Sequence, residues 1–214
     1  IIGKYVSLHD AYKSISESLI HAGANLNSRV EIKWILSENL NEKNIKKNLK
    51  NINGVIVAPG FGERGVEGKI CAIKYVRENS IPFFGICLGM QCACIEFSRN
   101  VLGHKKGNST EFDKNTPYPI IDLMEEQKEI KNKGGTMRLG SYKCSLEKGS
   151  HINKIYKKID IKERHRHRYE FNNSYKKEFN DNGMLTTGTN NKLNLVEVIE
   201  LNNHPWFIGT QFHP

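Results

Sequence analysis

A thiol between two glycines is the feature of this sequence that points most directly to chemistry. Cys87 lies in IPFFGICLGMQ between Gly85 and Gly89, where an apolar β-type run gives way to a helical pattern. In the related pattern G-x-S-x-G, small flanking residues allow a strained turn to present a nucleophile at the edge of a sheet. Unpaired N–H groups at a helix start also favour a thiolate. Cys87 is the candidate nucleophile, and a buried structural cysteine is the alternative.

Two further segments supply partners for such a nucleophile. The apolar pattern WFIGTQFHP places His213 just after a strand, where parallel α/β sheets gather their catalytic groups. In GVIVAPGFGERG a strand runs into a turn at Pro59, Gly60 and Phe61 that can direct a backbone N–H at an oxyanion. Each segment is a weak signal alone. Together the three predict a thiol-dependent acyl-transfer site.

The order of predicted elements indicates the fold that must bring these segments together. Up to about Gly103, short β-type runs alternate with helical patterns, one of which carries Val66, Ile70 and Ile73 on a single stripe. This order predicts an α/β fold with a mostly parallel central sheet flanked by helices on both faces. The predicted strands in this part are IIGKYV, VEIKWIL, GVIVAP and IPFFGIC.

After Gly103 the pattern changes to mostly strands separated by polar turns. This change predicts an added antiparallel part that flanks the main sheet. The runs concerned are PIIDLM, MRLGSYKCSL, MLTTGT, LVEVIEL and WFIGTQF.

Length and composition limit the class of protein. The 214 residues, with no linker-like stretch, predict one domain over residues 1–214. No apolar run approaches the ~18 residues of a membrane span, and the first residues lack a signal-peptide pattern. Five cysteines form no zinc-type spacing, since Cys92 and Cys94 lack a matching second pair. We expect a cytoplasmic protein with reduced thiols, no bound metal and no membrane contact.

The positive charge of the chain does not indicate a nucleic-acid partner. Lysine and arginine number 32 against 23 acidic residues, a formal charge of +9, but the basic residues are scattered. In the densest cluster, NEKNIKKNLKNI, the apolar Ile45, Leu49 and Ile52 form one stripe of a helix whose lysines would face water. We therefore predict no nucleic-acid binding.

With these features in place, the chain resembles the class I (triad) glutamine amidotransferases, and among them the glutaminase domains of CTP synthases. The resemblance implies a flavodoxin-like α/β domain that hydrolyses L-glutamine through a cysteine thioester to glutamate and ammonia. Alternatives are an amidotransferase of another synthase and an inactive regulatory or assembly module. The segments that carry the resemblance are GKY, SRNVLG, NSTEF, GGTMRLG, ERHRHRYEFN, NHPWF and QFHP.

The resemblance also implies catalytic roles. Cys87 would attack the glutamine amide and His213 would take and return the proton, while the triad glutamate would lie two positions beyond His213, after the last residue. The backbone N–H groups of Gly60 and Leu88 would bind the oxyanion. Pro59 replaces a glycine of the family pattern and has no N–H, so the donor must come from Gly60.

Five residues match the family's substrate pocket: Arg168, Glu111, Gln91, the backbone around Tyr169, and Phe61 against the aliphatic stem. Without the family, Arg168 would be interpreted as part of a surface basic cluster or a phosphate contact, and Glu111 as a capping or solvated acid. His165 and His167 alternate with arginines on an extended segment, which suits one exposed face. We assign these histidines no metal or acid–base role.

Larger expectations follow from the resemblance alone. No cofactor is expected in this domain, and the full enzyme would use ATP and Mg to activate UTP for CTP synthesis, with GTP as allosteric activator. Gly134 and Gly135, ahead of Arg138, resemble a hinge of the lid near which GTP acts, or form a turn into the next strand. The partners would be an amino-terminal synthetase domain, absent from this sequence, and further copies in a tetramer or in filaments.

Overall fold

A computed structural model of the chain describes residues 1–123 and 137–214. Gly134 and Gly135, the predicted hinge, lie outside these described residues. Short 3₁₀ turns occur at His9–Tyr12, Ser37–Asn39 and Asn173–Tyr175. The described helices are α1 Lys13–Asn25, α2 Ile45–Asn48, α3 Val66–Glu78, α4 Leu88–Asn100, α5 His151–Tyr156 and α6 Lys176–Asp181. The described strands are β1 Ile2–Gly3, β2 Ile35–Leu36, β3 Val55–Val57, β4 Phe83–Ile86, β5 Gly107–Ser109, β6 Tyr118–Asp122, β7 Arg138–Leu146, β8 Asp160–His167, β9 Glu170–Phe171, β10 Met184–Asn190, β11 Leu195–Leu201 and β12 Phe207–Thr210.

The larger sheet joins the parallel and antiparallel parts in one layer. Its order among the described strands is β2-β1-β3-β4-β12-β11-β10-β7-β8. From β2 to β12 the neighbours are parallel, and from β12 to β8 they are antiparallel. The predicted fold class is confirmed. The added antiparallel strands extend the main sheet edge to edge, because β11 pairs with β12 directly.

Helices cover both faces of the parallel half, as the β-α order predicts. Along β3, Val55 and Val57 pack with residues of α3 and α4 on one face. Ile56, between them, packs on the other face with Ile15 of α1. Because successive side chains of a strand point to opposite faces, this alternation shows a sheet buried on both sides.

Strand β12 is the junction that brings the two ends of the sequence pattern together. It pairs in parallel with β4, with Thr210 opposite Ile86. Residues that follow these two positions therefore leave the sheet at the same edge. Cys87 comes directly after β4, and His213 follows β12 by three residues.

A small sheet of β5, β6 and β9 lies apart from the large one among the described strands. Strand β5 is followed closely by Glu111, and β9 is preceded directly by Tyr169. The pairing of Ile121 in β6 with Phe171 in β9 fixes these two segments relative to each other. This sheet thereby positions residues from two distant parts of the chain.

Three predicted elements are shorter than their sequence patterns. The runs IIGKYV and VEIKWIL form strands only at Ile2–Gly3 and Ile35–Leu36, where β2 is an edge strand with few pairing partners. The lysine-rich helix is limited to Ile45–Asn48, and Asn51 just beyond it has a left-handed φ of 61° that a helix cannot continue. Its stripe is nevertheless buried at Ile45 and Leu49, as the pattern predicts.

Gly89 gives a direct test of how closely α4 approaches β3. A Cβ at Gly89 would lie 2.1 Å from the carbonyl oxygen of Val57. Alanine normally stabilises a helix interior relative to glycine, by about 1 kcal/mol, but here we expect Gly89→Ala to lower the free energy of unfolding by about 1–3 kcal/mol through overpacking. Urea denaturation measures the difference.

Gly54→Ala is the matched control. The nearest atom to its added Cβ is 3.5 Å away, which is ordinary contact, so its free energy of unfolding should stay within about 1 kcal/mol of the parent. Equal effects of the two substitutions would contradict the close approach.

Candidate active site

The turn at Cys87 has the strained geometry that the G-x-C-x-G pattern predicts. Cys87 has φ 53° and ψ −105°, a conformation rare for a residue with a side chain. Its N–H donates to the carbonyl oxygen of Thr210 at 2.7 Å. A Cβ at Gly85 would lie 2.8 Å from the backbone of Gly89. The flanking glycines are therefore required by backbone packing.

Burial dominates the ionisation of this thiol. Cys87 is 2% exposed, and burial raises its pKa to about 12, with Glu170 and Glu111 acting in the same direction. The N–H of Leu88 and the charge of Lys69 lower it. The start of α4 thus favours the thiolate as the sequence predicts, but burial outweighs this effect and keeps the resting thiol protonated.

His213 is held at the same edge of the sheet by backbone contacts. Its N–H donates to the carbonyl oxygen of Arg164 at 2.9 Å. Burial, followed by Arg164 and Arg166, lowers the pKa of its imidazole to about 4, so the ring is neutral near pH 7 and can accept a proton. Its Nε2 is buried with no hydrogen-bond partner among the described residues, and these residues include no hydrogen bond between the ring and Cys87.

The turn after β3 lies against the start of α4. A Cβ on Gly60 would be 3.5 Å from the side chain of Leu88, so the two predicted oxyanion donors belong to adjoining segments. The N–H of Leu88, at the first position of α4, has no acceptor within the helix. Lys4 fixes the turn, because its Nζ donates to the carbonyl oxygens of Phe61 and Gly62.

Lys4 was not among the site residues that the sequence predicts. The sequence contains it in the segment GKY, directly after the short first strand. A lysine at the carboxyl end of a parallel strand could have been noted by the same rule that selected His213. Its burial, at 3% exposed, was not predictable from the segment alone.

The five residues predicted to form the pocket fall into two groups, of which the first lies at this turn. An oxygen of Glu111 accepts from the N–H of Gly62 at 2.7 Å, beside the half-exposed ring of Phe61. Burial raises the pKa of Glu111, while the Gly62 hydrogen bond, Lys4 and Arg168 lower it. The positive charges of Lys4 and Arg168 therefore favour the carboxylate form of Glu111.

The second group centres on Gln91. Its side-chain amide donates to the carbonyl oxygen of Tyr169 at 3.0 Å and to the side chain of Gln211 at 3.2 Å. Because Tyr169 follows Arg168 directly, this contact also fixes the backbone that carries Arg168. These two hydrogen bonds join α4 to the segment before β9 and to the segment after β12.

A buried cluster of charged and polar side chains lies behind the site, and the sequence did not predict it. Arg138 donates to Glu170 at 3.1 Å and to Glu197 at 2.8 Å. His165 and His167 lie beside them, 1% and 2% exposed. The prediction that the histidine-rich segment forms an exposed face is correct for Arg164 and Arg166 only. Alternation along β8 places the histidines on the opposite, buried face.

The hydrogen bonds of this cluster define the proton positions on the two rings. Nδ1 of His167 faces two acceptors, the Tyr169 carbonyl and Glu170, each at 3.3 Å, so we assign the ring proton there. Nε2 of His167 then accepts from Nδ1 of His165 at 2.9 Å. The chain of donors leads from one imidazole to the other and ends on the Tyr169 backbone.

The same cluster contains the residue types of a metal site. Ligand atoms of His165, His167 and Glu197 lie within 4.8 Å of one another. The guanidinium of Arg138 already places a positive charge 2.8 Å from Glu197, and the contact between the two rings is explained by a hydrogen bond. We therefore interpret the cluster as a buried ion network that connects β7, β8, β9 and β11.

Comparison with known proteins assigns the chain to a family. A profile of the family described as glutamine amidotransferase class-I matches residues 7–214. The chain belongs to the class-I glutamine amidotransferases. Among the described residues of this amidotransferase, no helix has the length and apolar character that crossing a membrane requires.

Curated relatives of this amidotransferase are named CTP synthase. It is 61% identical to a CTP synthase of Cytophaga hutchinsonii, over all of this chain and 40% of the relative. It is 59% identical to a CTP synthase of Christiangramia forsetii, over all of this chain and 39% of the relative. The chain thus spans about 40% of the length of the curated relatives it matches.

Solved structures agree with the fold and with the subgroup. The glutaminase domain of Trypanosoma brucei CTPS, solved with bound acivicin, superposes with a TM-score of 0.92 at 37% identity, covering all of this chain and 84% of that one. A putative GMP synthase subunit of Thermoplasma acidophilum reaches a TM-score of 0.61 at 16% identity, covering 99% of this chain and 79% of that one, which shows the shared fold alone. The resemblance to CTP synthase glutaminase domains is confirmed.

Acid should destabilise this fold because its buried histidines are neutral. Burial lowers the pKa of His165 to about 3 and that of His213 to about 4 from the ordinary 6.5, and the pKa of His167 is also lowered well below 6.5. At these three histidines the unfolded chain therefore binds more protons than the folded one below pH 6.5, and the raised pKa of buried Glu170, about 8, offsets part of this difference. The free energy of unfolding should fall from about pH 6.5 towards pH 4, by up to about 1.4 kcal/mol per pH unit for each histidine.

Urea denaturation across this pH range tests the assignment. His165→Asn keeps a donor near the position of Nδ1 and removes the titration, so its loss of stability with falling pH should be shallower than that of the parent. His21→Asn, at an exposed position of α1, should keep the parent slope. Parallel pH profiles for the parent and His165→Asn would show that His165 is not a source of the acid sensitivity.

Proposed function

We propose that this chain hydrolyses L-glutamine to glutamate and ammonia as the glutaminase domain of a CTP synthase. The observation that carries the proposal is the strained Cys87 turn, with His213 and the Gly60 turn at the same sheet edge. Membership of the class-I glutamine amidotransferases supports it, as does the related Trypanosoma brucei domain with its bound glutamine analogue, acivicin. In this proposal Cys87 is the nucleophile, His213 is the base, and Gly60 and Leu88 provide the oxyanion donors.

The reaction begins with attack of the Cys87 sulfur on the side-chain amide carbon of glutamine. The thiol proton passes to the neutral imidazole of His213, and the amide oxygen becomes an oxyanion that accepts from the N–H groups of Leu88 and Gly60. When the carbon–nitrogen bond breaks, His213 returns the proton to the leaving nitrogen and ammonia departs. Water, deprotonated by His213, then attacks the γ-glutamyl thioester; the carbon–sulfur bond breaks, glutamate is released, and His213 returns the proton to the Cys87 sulfur.

The charge state of the resting site determines when the proton moves. Burial raises the pKa of Cys87 to about 12 and lowers that of His213 to about 4. A thiolate–imidazolium pair is therefore unfavourable in the empty site. Proton transfer then accompanies formation of the sulfur–carbon bond, when the charge passes to an oxyanion that has its own donors.

Substrate recognition follows from the charges of the pocket. Arg168 would bind the α-carboxylate of glutamine and Glu111 its ammonium, since each provides the opposite charge. Phe61 would cover the aliphatic stem. Gln91 and the Tyr169 backbone, which are hydrogen-bonded to each other, hold the wall that carries Arg168.

The wider reaction is proposed from the relatives, because the chain spans about 40% of their length. The ammonia would be used by a synthetase domain of the same protein to aminate UTP activated by ATP and Mg, in pyrimidine nucleotide biosynthesis. GTP would act as the allosteric activator. The whole enzyme would be a cytoplasmic homo-oligomer.

Covalent labelling with 6-diazo-5-oxo-norleucine, an electrophilic glutamine mimic, tests the proposed site. We expect one adduct by intact-mass spectrometry, located at Cys87 by peptide mapping and prevented by excess glutamine. Cys87→Ala should abolish both the adduct and glutamine hydrolysis, whereas Cys92→Ala, at a buried thiol of the same helix, should keep them. Ammonia release by folded Cys87→Ala would refute the mechanism.

Arg168 gives a test of substrate recognition that is independent of the nucleophile. Arg168→Met should raise the half-saturating concentration of 6-diazo-5-oxo-norleucine by about 10- to 100-fold, the size expected for loss of a charge-assisted hydrogen bond. The maximal labelling rate should change much less. Arg29→Met, at an exposed arginine, should leave both constants unchanged, and an equal effect of both variants would remove Arg168 from the pocket.

A further inference from the structure

Lys69 is a buried cation that the mechanism above does not use. It lies on α3 with 0% exposure, and its Nζ donates to the carbonyl oxygen of Ala58 at 2.7 Å. A buried ammonium is costly unless it is paired, and none of the described carboxylates forms an ion pair with it. The function of this charge therefore requires an explanation beyond ordinary core packing.

The sheet register places this ammonium beneath the nucleophile turn. Val57 of β3 is opposite Gly85 of β4, so Ala58 lies beside the residue that precedes Cys87. Ala58 and Cys87 also belong to the same packed cluster. The ammonium and the thiol are close enough for each to influence the ionisation of the other.

The other charged groups around Cys87 do not provide this positive charge. Glu170 on β9 and Glu111 after β5 oppose ionisation of the thiol, and His213 after β12 is neutral. Lys4 after β1 donates to two carbonyl oxygens of the Gly60 turn. On α4, the helix that begins just after Cys87, Cys92 is a second buried thiol close to Lys69.

We propose that Lys69 is a positioning residue whose buried ammonium, held by the Ala58 carbonyl, stabilises the negative charge that develops on the Cys87 sulfur. This inference rests on the proposed function in that Cys87 is the nucleophile. The hydrogen bond fixes the ammonium beneath the turn, and the low polarity of the surroundings leaves its field little screened.

The ionisation of Lys69 is consistent with this role. Burial lowers its pKa to about 8, while Cys92 and Cys87 act to raise it. The ammonium therefore persists near pH 7 and is lost above about pH 8. Lys69 and Cys87 titrate as a coupled pair, in which each charge favours the other.

The test is the pH dependence of Cys87 alkylation by iodoacetamide, an uncharged probe, followed by peptide mapping. Lys69→Met keeps the length and apolar stem and removes the charge. Below about pH 8, where the parent carries the ammonium, we expect Cys87 of Lys69→Met to react about tenfold more slowly than Cys87 of the parent. The two rates should converge above about pH 8, where Lys69 of the parent loses its charge. A purely structural role would change the rate by the same factor on both sides of about pH 8.

Three further variants make the result specific. Lys74→Met, on the same helix and partly exposed beside Glu42, should keep the parent rate and its pH dependence. Lys69→Arg, which retains the charge, should keep the parent rate below about pH 8. Lys69→Gln removes the charge but keeps a donor, and it provides the same comparison if Lys69→Met does not fold.

The outcomes separate this inference from the proposed function. An unchanged Cys87 alkylation rate below about pH 8 in folded Lys69→Met or Lys69→Gln, or a slower rate that does not converge with the parent above about pH 8, would overturn the role of Lys69, even where 6-diazo-5-oxo-norleucine labels Cys87. Absence of that label in the parent chain would instead overturn the proposed function, whatever the alkylation profiles show. Slower alkylation of Cys92 with an unchanged rate at Cys87 would show that the charge acts on Cys92, and it would also refute the proposal.

Discussion

The close contact between the start of α4 and the backbone of β3 is the constraint on which the site depends. Gly89 lies against the Val57 carbonyl with no room for a side chain. This approach forces the chain to reverse at Cys87 with a positive φ, which lifts the thiol out of the sheet. It also brings Leu88 beside Gly60, so one backbone contact sets the positions of the proposed nucleophile and of both proposed oxyanion donors.

The elements that surround this contact were predictable because their signals are local. Alternating β and α patterns predict the parallel sheet, and the glycines at 85 and 89 predict the turn. The lengths of β1 and β2 were not predictable, since strand ends depend on which neighbours pair with them. The position of the antiparallel part in the sheet could not be predicted either, because β12 pairs with strands from both halves of the chain.

The ionisation of the site shows a second limit of sequence reasoning. The position of Cys87 at a helix start predicts a lowered thiol pKa, and the Leu88 N–H does act in that direction. The burial of Cys87 raises the pKa by more, and this burial is a property of the whole fold. Likewise, the alternation along β8 could have separated buried His165 from its exposed arginine neighbours. The partners that make this burial tolerable, Arg138 and Glu197, are distant in sequence and meet only through the sheet.

The hydrogen bond between Glu111 and Gly62 ties recognition to chemistry. A carboxylate has two oxygens, so Glu111 can hold the turn with one and meet a ligand's ammonium with the other. The amino group of a substrate, far from the amide that reacts, would then tighten the loop that carries Gly60. An analogue without that amino group would bind more weakly and would also react more slowly, because the Gly60 N–H would be held less rigidly in position.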